Sequence, residues 1–194
     1  VKIQYGTSFA YPSCTVGSHV SAVPNHQTGR TTELATRAAV AMAGSFGYEL
    51  DLNLLTEEEK EQVREQIKNY HRFEMLIRQG RYYRLTDVWQ KKEYAAWEYC
   101  RPDGSEALVT VVTLDTQCNP ATEYVKLRGL GEDKEYRVEV GGMQTGGENG
   151  QRINGTPNSV EPEYYTGAQL VHAGLPVPRL GNEYKSWQVY VKEV

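Results

Sequence analysis

Two imidazoles, His19 and His26, flank the stretch Ser18-His19-Val20-Ser21-Ala22-Val23-Pro24-Asn25-His26-Gln27-Thr28-Gly29-Arg30. Carboxamide, imidazole, hydroxyl and guanidinium groups crowd into its second half. Such a set can hold a polar ligand through directed hydrogen bonds. Asn25 and His26 are the candidate ligand-facing residues. The competing reading is a loop held together by its own Asn and His hydrogen bonds. His19 falls inside the expected strand and is read as a hydrogen-bonded core or supporting residue. A metal site needs further ligands at defined spacing. None accompanies the two histidines, so no metal and no other cofactor is expected.

Hydrolysis by paired carboxylates needs two acids at one site. Before residue 56 the acids are Glu33, Glu49 and Asp51. None ends an expected strand, and Glu33 falls in the first turn of an expected helix. The glutamates from Glu57 to Glu65 belong to a solvated helix face. No Gly-x-Ser-x-Gly elbow marks a serine nucleophile. No catalytic residue can therefore be nominated. The glycine-rich run 141–150 lacks a Gly-Lys-Ser/Thr ending and a following helix, so it reads as a loop rather than a phosphate cradle. Asn154-Gly155-Thr156 matches a glycosylation acceptor, which means little without a secretory signal.

The elements that must position Asn25 and His26 can be read on either side of them. A short helix is expected from Ile3 to Tyr11, ending before Pro12. A strand is expected from Val16 to Val23, stopped by Pro24, which has no N–H for a ladder. A helix rich in small residues is expected from Thr31 to Phe46, with Thr32 as its cap. Strand, polar loop and helix make one βα unit of the kind whose loops carry the sites of barrel enzymes. Thr56-Glu57-Glu58-Glu59 is a capping box. It opens a helix whose apolar face is Val63, Ile67, Tyr70 and Ile77 and whose stop is Gly80.

Past Gly80 the period becomes two. Strands are expected at Tyr82–Leu85, Tyr94–Cys100, Leu108–Leu114, Tyr124–Arg128, Tyr136–Val140 and Lys185–Val194. Arg101-Pro102-Asp103-Gly104 is a turn, and Leu130–Lys134 is spaced as a hairpin connection. Short strands at this spacing suggest an antiparallel β-sandwich. The expected division is 1–79 and 80–194, with no internal repeat.

The chain has 194 residues, 39% hydrophobic and 24% charged, with net charge −4. This balance is that of a globular protein and does not favour a nucleic-acid partner or an anionic membrane surface. No apolar run is long enough to span a bilayer, and the N-terminus shows no basic-then-apolar leader. The three cysteines show no CxxC spacing, which argues against a disulfide framework or zinc site. A cytoplasmic protein with reduced thiols is expected. Fourteen tyrosines against three phenylalanines suit wet sheet surfaces, subunit contacts or sugar-facing surfaces.

Several segments together resemble one family. They are Ile3-Gln4-Tyr5-Gly6-Thr7-Ser8 with Tyr11-Pro12, Gly17 to Ser21, and Pro24-Asn25-His26-Gln27-Thr28-Gly29-Arg30. Phe46-Gly47-Tyr48-Glu49-Leu50-Asp51 extends the match, as do Tyr164-Tyr165-Thr166-Gly167 and Gly174-Leu175-Pro176-Val177. The chain is similar to the C-terminal part of the microbial α-galactosidases (melibiases) of glycoside hydrolase family 36.

The resemblance implies an α+β fragment: the last βα unit of a (β/α)8 barrel with its helices, followed by an antiparallel C-terminal β-sandwich. It implies a retaining hydrolase of terminal α-galactosides of the melibiose and raffinose type. The family's two catalytic aspartates lie in motifs N-terminal to this stretch, so the chain alone is expected to be inactive. Residue 1 is Val, and a processing or cutting boundary is expected there. The resemblance supports only a pocket-rim role for Pro24–Gln27. The implied partners are an α-galactoside oligosaccharide, the N-terminal and barrel portions, and possible further copies in a homo-oligomer. With a single βα unit, residues 1–55 are expected to be poorly packed, swapped, or docked on the rest of a barrel. The isolated chain is then expected to be folded from about Thr56 onward. The alternative is a non-catalytic carbohydrate-binding or assembly module, in which tyrosines and Trp89, Trp97 and Trp187 either stack on sugars or fill the core.

Overall fold

In the computed structural model, residues 1–90, 93–119, 121–140 and 163–194 are described. The glycine-rich run 141–150 and Asn154-Gly155-Thr156 lie outside them.

The chain opens with helix α1 (Lys2–Thr7) and a single 3-10 turn at Ser13–Thr15. Strand β1 is only Val20–Ser21, and helix α2 is Leu34–Ala41. Both are shorter than the sequence suggests. Thr32 does not cap α2: its carbonyl accepts from Arg37 Nε at 2.9 Å, and Glu33 occupies the cap position without a side-chain cap bond. A second strand, β2 (Tyr48–Glu49), follows and pairs in parallel with β1, Val20 opposite Tyr48 and Ser21 opposite Glu49. Strand β2 was not expected from the sequence. Two residues are too few to show alternation, so β2 leaves no periodic signal in the sequence.

Helix α3 (Glu57–Gln79) starts at the expected capping box. Thr56 Oγ1 accepts from Glu59 N–H at 3.2 Å, and the Glu59 carboxylate accepts from Thr56 N–H at 2.9 Å. Its buried stripe is Val63, Gln66, Phe73, Leu76 and Ile77, so the face is rotated from the expected one and Ile67 is exposed. Gln66 can be buried because its Oε1 accepts from Tyr48 Oη at 2.8 Å. Gly80 ends α3 by close approach rather than by a left-handed turn. Its φ is −69°, and a Cβ there would run into the carbonyl oxygens of Leu76 and Cys100.

The second half is built on a six-stranded sheet in which every neighbouring pair is antiparallel. Its strands are β3 (Arg81–Arg84), β4 (Tyr94–Cys100), β5 (Glu106–Thr113), β7 (Glu135–Val140), β8 (Glu163–Thr166) and β10 (Ser186–Glu193). The order is β3-β4-β5-β10-β7-β8. The 101–104 turn closes the β4–β5 hairpin, with Gly104 at φ +73°. Strand β6 (Tyr124–Val125) instead pairs with β9 (Leu175–Pro176) as a separate two-stranded sheet. The 130–134 segment is therefore not a hairpin connection. Strands β8 and β9 are short and were not anticipated by period-two reading.

Strand β4 is buried on both faces. Ala95, Trp97 and Tyr99 face a core shared with α1, α2 and α3. Tyr94, Ala96 and Cys100 face a second core with Val125, Leu127, Leu170 and Leu175. The first core contains Tyr5, Val20, Ala38, Ala39, Met42, Phe73, Leu108 and Tyr190, so it runs without a break across Gly80. Poor packing of residues 1–55, one of the three alternatives expected for them, is corrected accordingly. The small residues of α2 are what allow it to lie directly on the sheet. A buried polar seam crosses that contact: Thr36 Oγ1 reaches Ser186 Oγ at 3.4 Å, and Gln188 Nε2 donates to Thr110 Oγ1 at 3.0 Å beside Met42. Trp97 and Trp187 are core residues, leaving Trp89 exposed.

On the second face, Glu98 of β4 is fully buried. Its two carboxylate oxygens accept from Arg128 N–H at 2.8 Å and Gly129 N–H at 3.1 Å. A Cβ on Gly129 would strike Cys100 and crowd that carboxylate. Burial pushes the Glu98 pKa up, against the pull of the two backbone amides.

Candidate functional site

Strand β1 delivers the chain into the loop that carries Asn25 and His26. The loop closes on Asn25. Its Oδ1 accepts from Gln27 N–H at 3.1 Å, Thr28 N–H at 3.0 Å and Thr28 Oγ1 at 3.1 Å. Its backbone N–H donates to the Arg30 carbonyl and its carbonyl accepts from Gly29 N–H, both at 2.8 Å. Gly29 adopts φ +67°, which lets the turn reverse. The carboxamide oxygen is thus used inside the loop. Asn25 is half-buried, and His26 is exposed on the turn.

Three contacts hold this loop to the body of the protein. Arg37 of α2 donates back to the Ser21 carbonyl at 2.6 Å as well as to Thr32. The Arg30 guanidinium lies over the Tyr184 ring, 4.1 Å from its centroid, a favourable cation–π placement. Glu33 pairs with Lys185. The loop therefore sits at the end of the sheet where β10 begins. Arg37 and Tyr184, the second as the partner of Arg30, escaped the sequence reading, because they reach the loop from other elements.

The remaining candidates are placed individually. His19 is exposed rather than in a core, and its Nε2 lies 2.5 Å from the Glu49 carboxylate across the β1–β2 pair. Asp51 is occupied by Asn53, whose backbone N–H and Nδ2 both donate to it at 2.9 Å. Glu57, Glu61 and Glu65 pair with Lys60, Arg64 and Lys68 along α3. Among the described residues no group of three or more His, Cys, Asp or Glu could hold a metal ion, and no helix is long and apolar enough to cross a membrane. Cys14, Cys100 and Cys118 are free, with Cys100 buried.

The loop is closed by the bonds to Asn25, with His26 exposed on its turn. Comparison with known proteins places the chain in a family. The Melibiase family model matches residues 1–80, and the model of the glycosyl hydrolase family 36 C-terminal domain matches residues 94–191. The chain belongs to glycosyl hydrolase family 36.

The chain is 47% identical over its full length to the bifunctional alpha-galactosidase/sucrose kinase AgaSK of Mediterraneibacter gnavus, covering 18% of that protein. It is 38% identical to alpha-galactosidase AgaA of Geobacillus stearothermophilus, again over its whole length and 24% of the relative's. The galactosidase domain of AgaSK superposes with TM-score 0.84 at 46% identity, and AgaA in complex with raffinose with 0.84 at 37%. Both superpositions cover 100% of this chain and 24% of the other. The chain thus spans about a quarter or less of the relatives it matches.

Proposed function

We propose that this chain is the C-terminal portion of a retaining α-galactosidase that removes terminal α-galactose from oligosaccharides of the melibiose and raffinose type. Residues 1–79 are the end of its (β/α)8 catalytic barrel with the connecting helix, and 80–194 its C-terminal β-sandwich. The observation that carries the reading is the end-to-end likeness to alpha-galactosidases, including one in complex with raffinose. The parallel β1–α2–β2 unit, with its polar loop after β1, supports the barrel assignment.

A retaining mechanism uses a nucleophile and an acid/base carboxylate roughly 5–5.5 Å apart. No such pair converges on the Asn25 loop among the described residues, since Glu33, Glu49 and Asp51 have structural partners. The whole enzyme's catalytic carboxylates come from elsewhere in the longer protein. Asn25 and His26 rim the sugar pocket: the Asn25 amide donates to a hydroxyl, and His26 meets the part of the substrate nearest solvent. The three free thiols suit a reducing, cytoplasmic compartment.

The test is turnover of an aryl α-galactoside. The longer parent protein should hydrolyse it with retention, and the 194-residue chain should not. His26→Ala in the parent should raise KM about two- to tenfold with little change in kcat, the pattern of lost ground-state binding. Turnover by the short chain, or a parent that ignores α-galactosides, would overturn the reading.

A further inference from the structure

A cleft of about 710 Å3 opens where β4 begins and β5 ends, bounded by the segment before β6 and by residues 176–182. That size lies within the range of small-molecule sites. Its walls are tied to one another by backbone bonds. The Glu93 carbonyl accepts from Leu114 and Asp115 N–H, at 2.8 and 3.2 Å, and the Glu123 carbonyl accepts from Val177 N–H at 2.8 Å. Thr113 Oγ1 donates to the Asn182 carbonyl at 2.8 Å. The shape is thus set by the fold before any ligand arrives.

The lining narrows the ligand class. Among the described residues it carries the carboxylates of Glu93, Asp115 and Glu123 and the guanidinium of Arg179. These acids do not form a cluster able to hold a metal ion. Carboxylates together with the Asn182 carboxamide are the groups that accept hydrogen bonds from paired hydroxyls. Pro176, Pro178 and Leu180 supply an apolar wall for the C–H face of a sugar ring, and the buried Tyr94 forms part of the floor. Polar acceptors facing an apolar wall fit a neutral polyhydroxyl ligand. Two residues beyond Asn182, Tyr184 carries Arg30 of the Asn25 loop, so cleft and loop share one end of the sheet.

We infer that this cleft, between the start of β4, the end of β5 and residues 176–182, is a binding site for a neutral oligosaccharide. The inference rests on the α-galactosidase reading only for the choice of sugar. Binding would be read by titrating the 15N-labelled 194-residue chain with raffinose, up to about 20 mM, enough to reveal millimolar affinity. Saturable amide shifts should gather at 113–117 and 177–182. Asp115→Ala and Asn182→Ala should each weaken binding about fivefold or more, the loss of roughly one hydrogen bond, while their spectra stay as dispersed as the parent's. Inorganic phosphate and spermidine should leave these amides in place. Absence of saturable shifts, shifts confined to the Asn25 loop, or a stronger response to phosphate or spermidine would overturn the inference. Failure of the α-galactosidase reading would register elsewhere, as absent turnover by the longer protein, with raffinose still moving the cleft amides.

Discussion

The β1–α2–β2 segment and the six-stranded sheet solve the same problem by opposite means. In the sheet, β5 and β10 pair over seven positions and β4 and β5 over seven more, so backbone bonds and two buried faces hold each strand. Strands β1 and β2 pair over only two positions. A parallel pair of that length has almost no ladder, and parallel pairing gains slightly less per residue than antiparallel. What holds it is the apolar face of α2 lying on the sheet and a few long polar reaches, Arg37 to Ser21 and His19 to Glu49. The lesson is that position in this region is inherited. The loop with Asn25 and His26 is placed by the sheet, through α2, Tyr184 and Lys185, rather than by its own strands.

The harshest way to break that contrast is Phe73→Ala. Phe73 is 2% exposed, packs on Tyr190 of β10 at 5.2 Å between ring centroids, and belongs to the core that both regions share. Removing it should cost about 3–5 kcal/mol. Urea unfolding followed by far-ultraviolet circular dichroism and by tryptophan emission should shift together, as one transition. Two separated transitions would mean that the first region stands on a core of its own.

A smaller effect sharpens the sheet's side of the comparison. Glu98→Gln replaces one of the two oxygens that accept from Arg128 and Gly129, and should cost about 1–3 kcal/mol at acid pH. Arg128 and Cys100 are the charged and titratable groups beside it. Because burial raises the Glu98 pKa in the folded state, its contribution is full below the ordinary carboxyl value of about 4.3 and is lost as pH rises through the folded value. The wild type's advantage over the variant should therefore shrink between pH 4 and pH 7. An advantage that grows over that range would contradict the direction.

The mildest change is Asn25→Ala. It removes three hydrogen bonds inside an exposed loop, so global stability should move by about 0.5 kcal/mol or less. Amide exchange should quicken at Gln27–Arg30 and stay unchanged in β4 and β5. Exchange that quickens in the sheet as well would show that the loop supports the body rather than the reverse.

The contrast also explains what the sequence disclosed. Strand β4 and helix α3 were plain because each is long enough to carry its own period and cap. Strands β2 and β9 were hidden because two residues have no period. The rotation of α3 was hidden because Gln66 counts as polar in any pattern, and only its bond to Tyr48 lets it turn inward. Asn25 and His26 were found by chemical type, yet nothing local revealed that the Asn25 oxygen is consumed within the loop. The cleft walls come from separated segments whose spacing carries no signature. Poor packing of residues 1–55 stood among the expected alternatives because a βα unit read alone hides the sheet that receives it.

Gly80 joins the two halves without slack, wedged between the Leu76 and Cys100 carbonyls and inside one continuous core. Recombination at that junction would not exchange interchangeable modules. A first half borrowed from a distant homologue would arrive with side chains cut for a different sheet face. Lineages that traded one half would have to trade the other or rewrite the seam of Thr36, Ser186, Gln188 and Thr110, so the two stretches should diverge in step along a family tree.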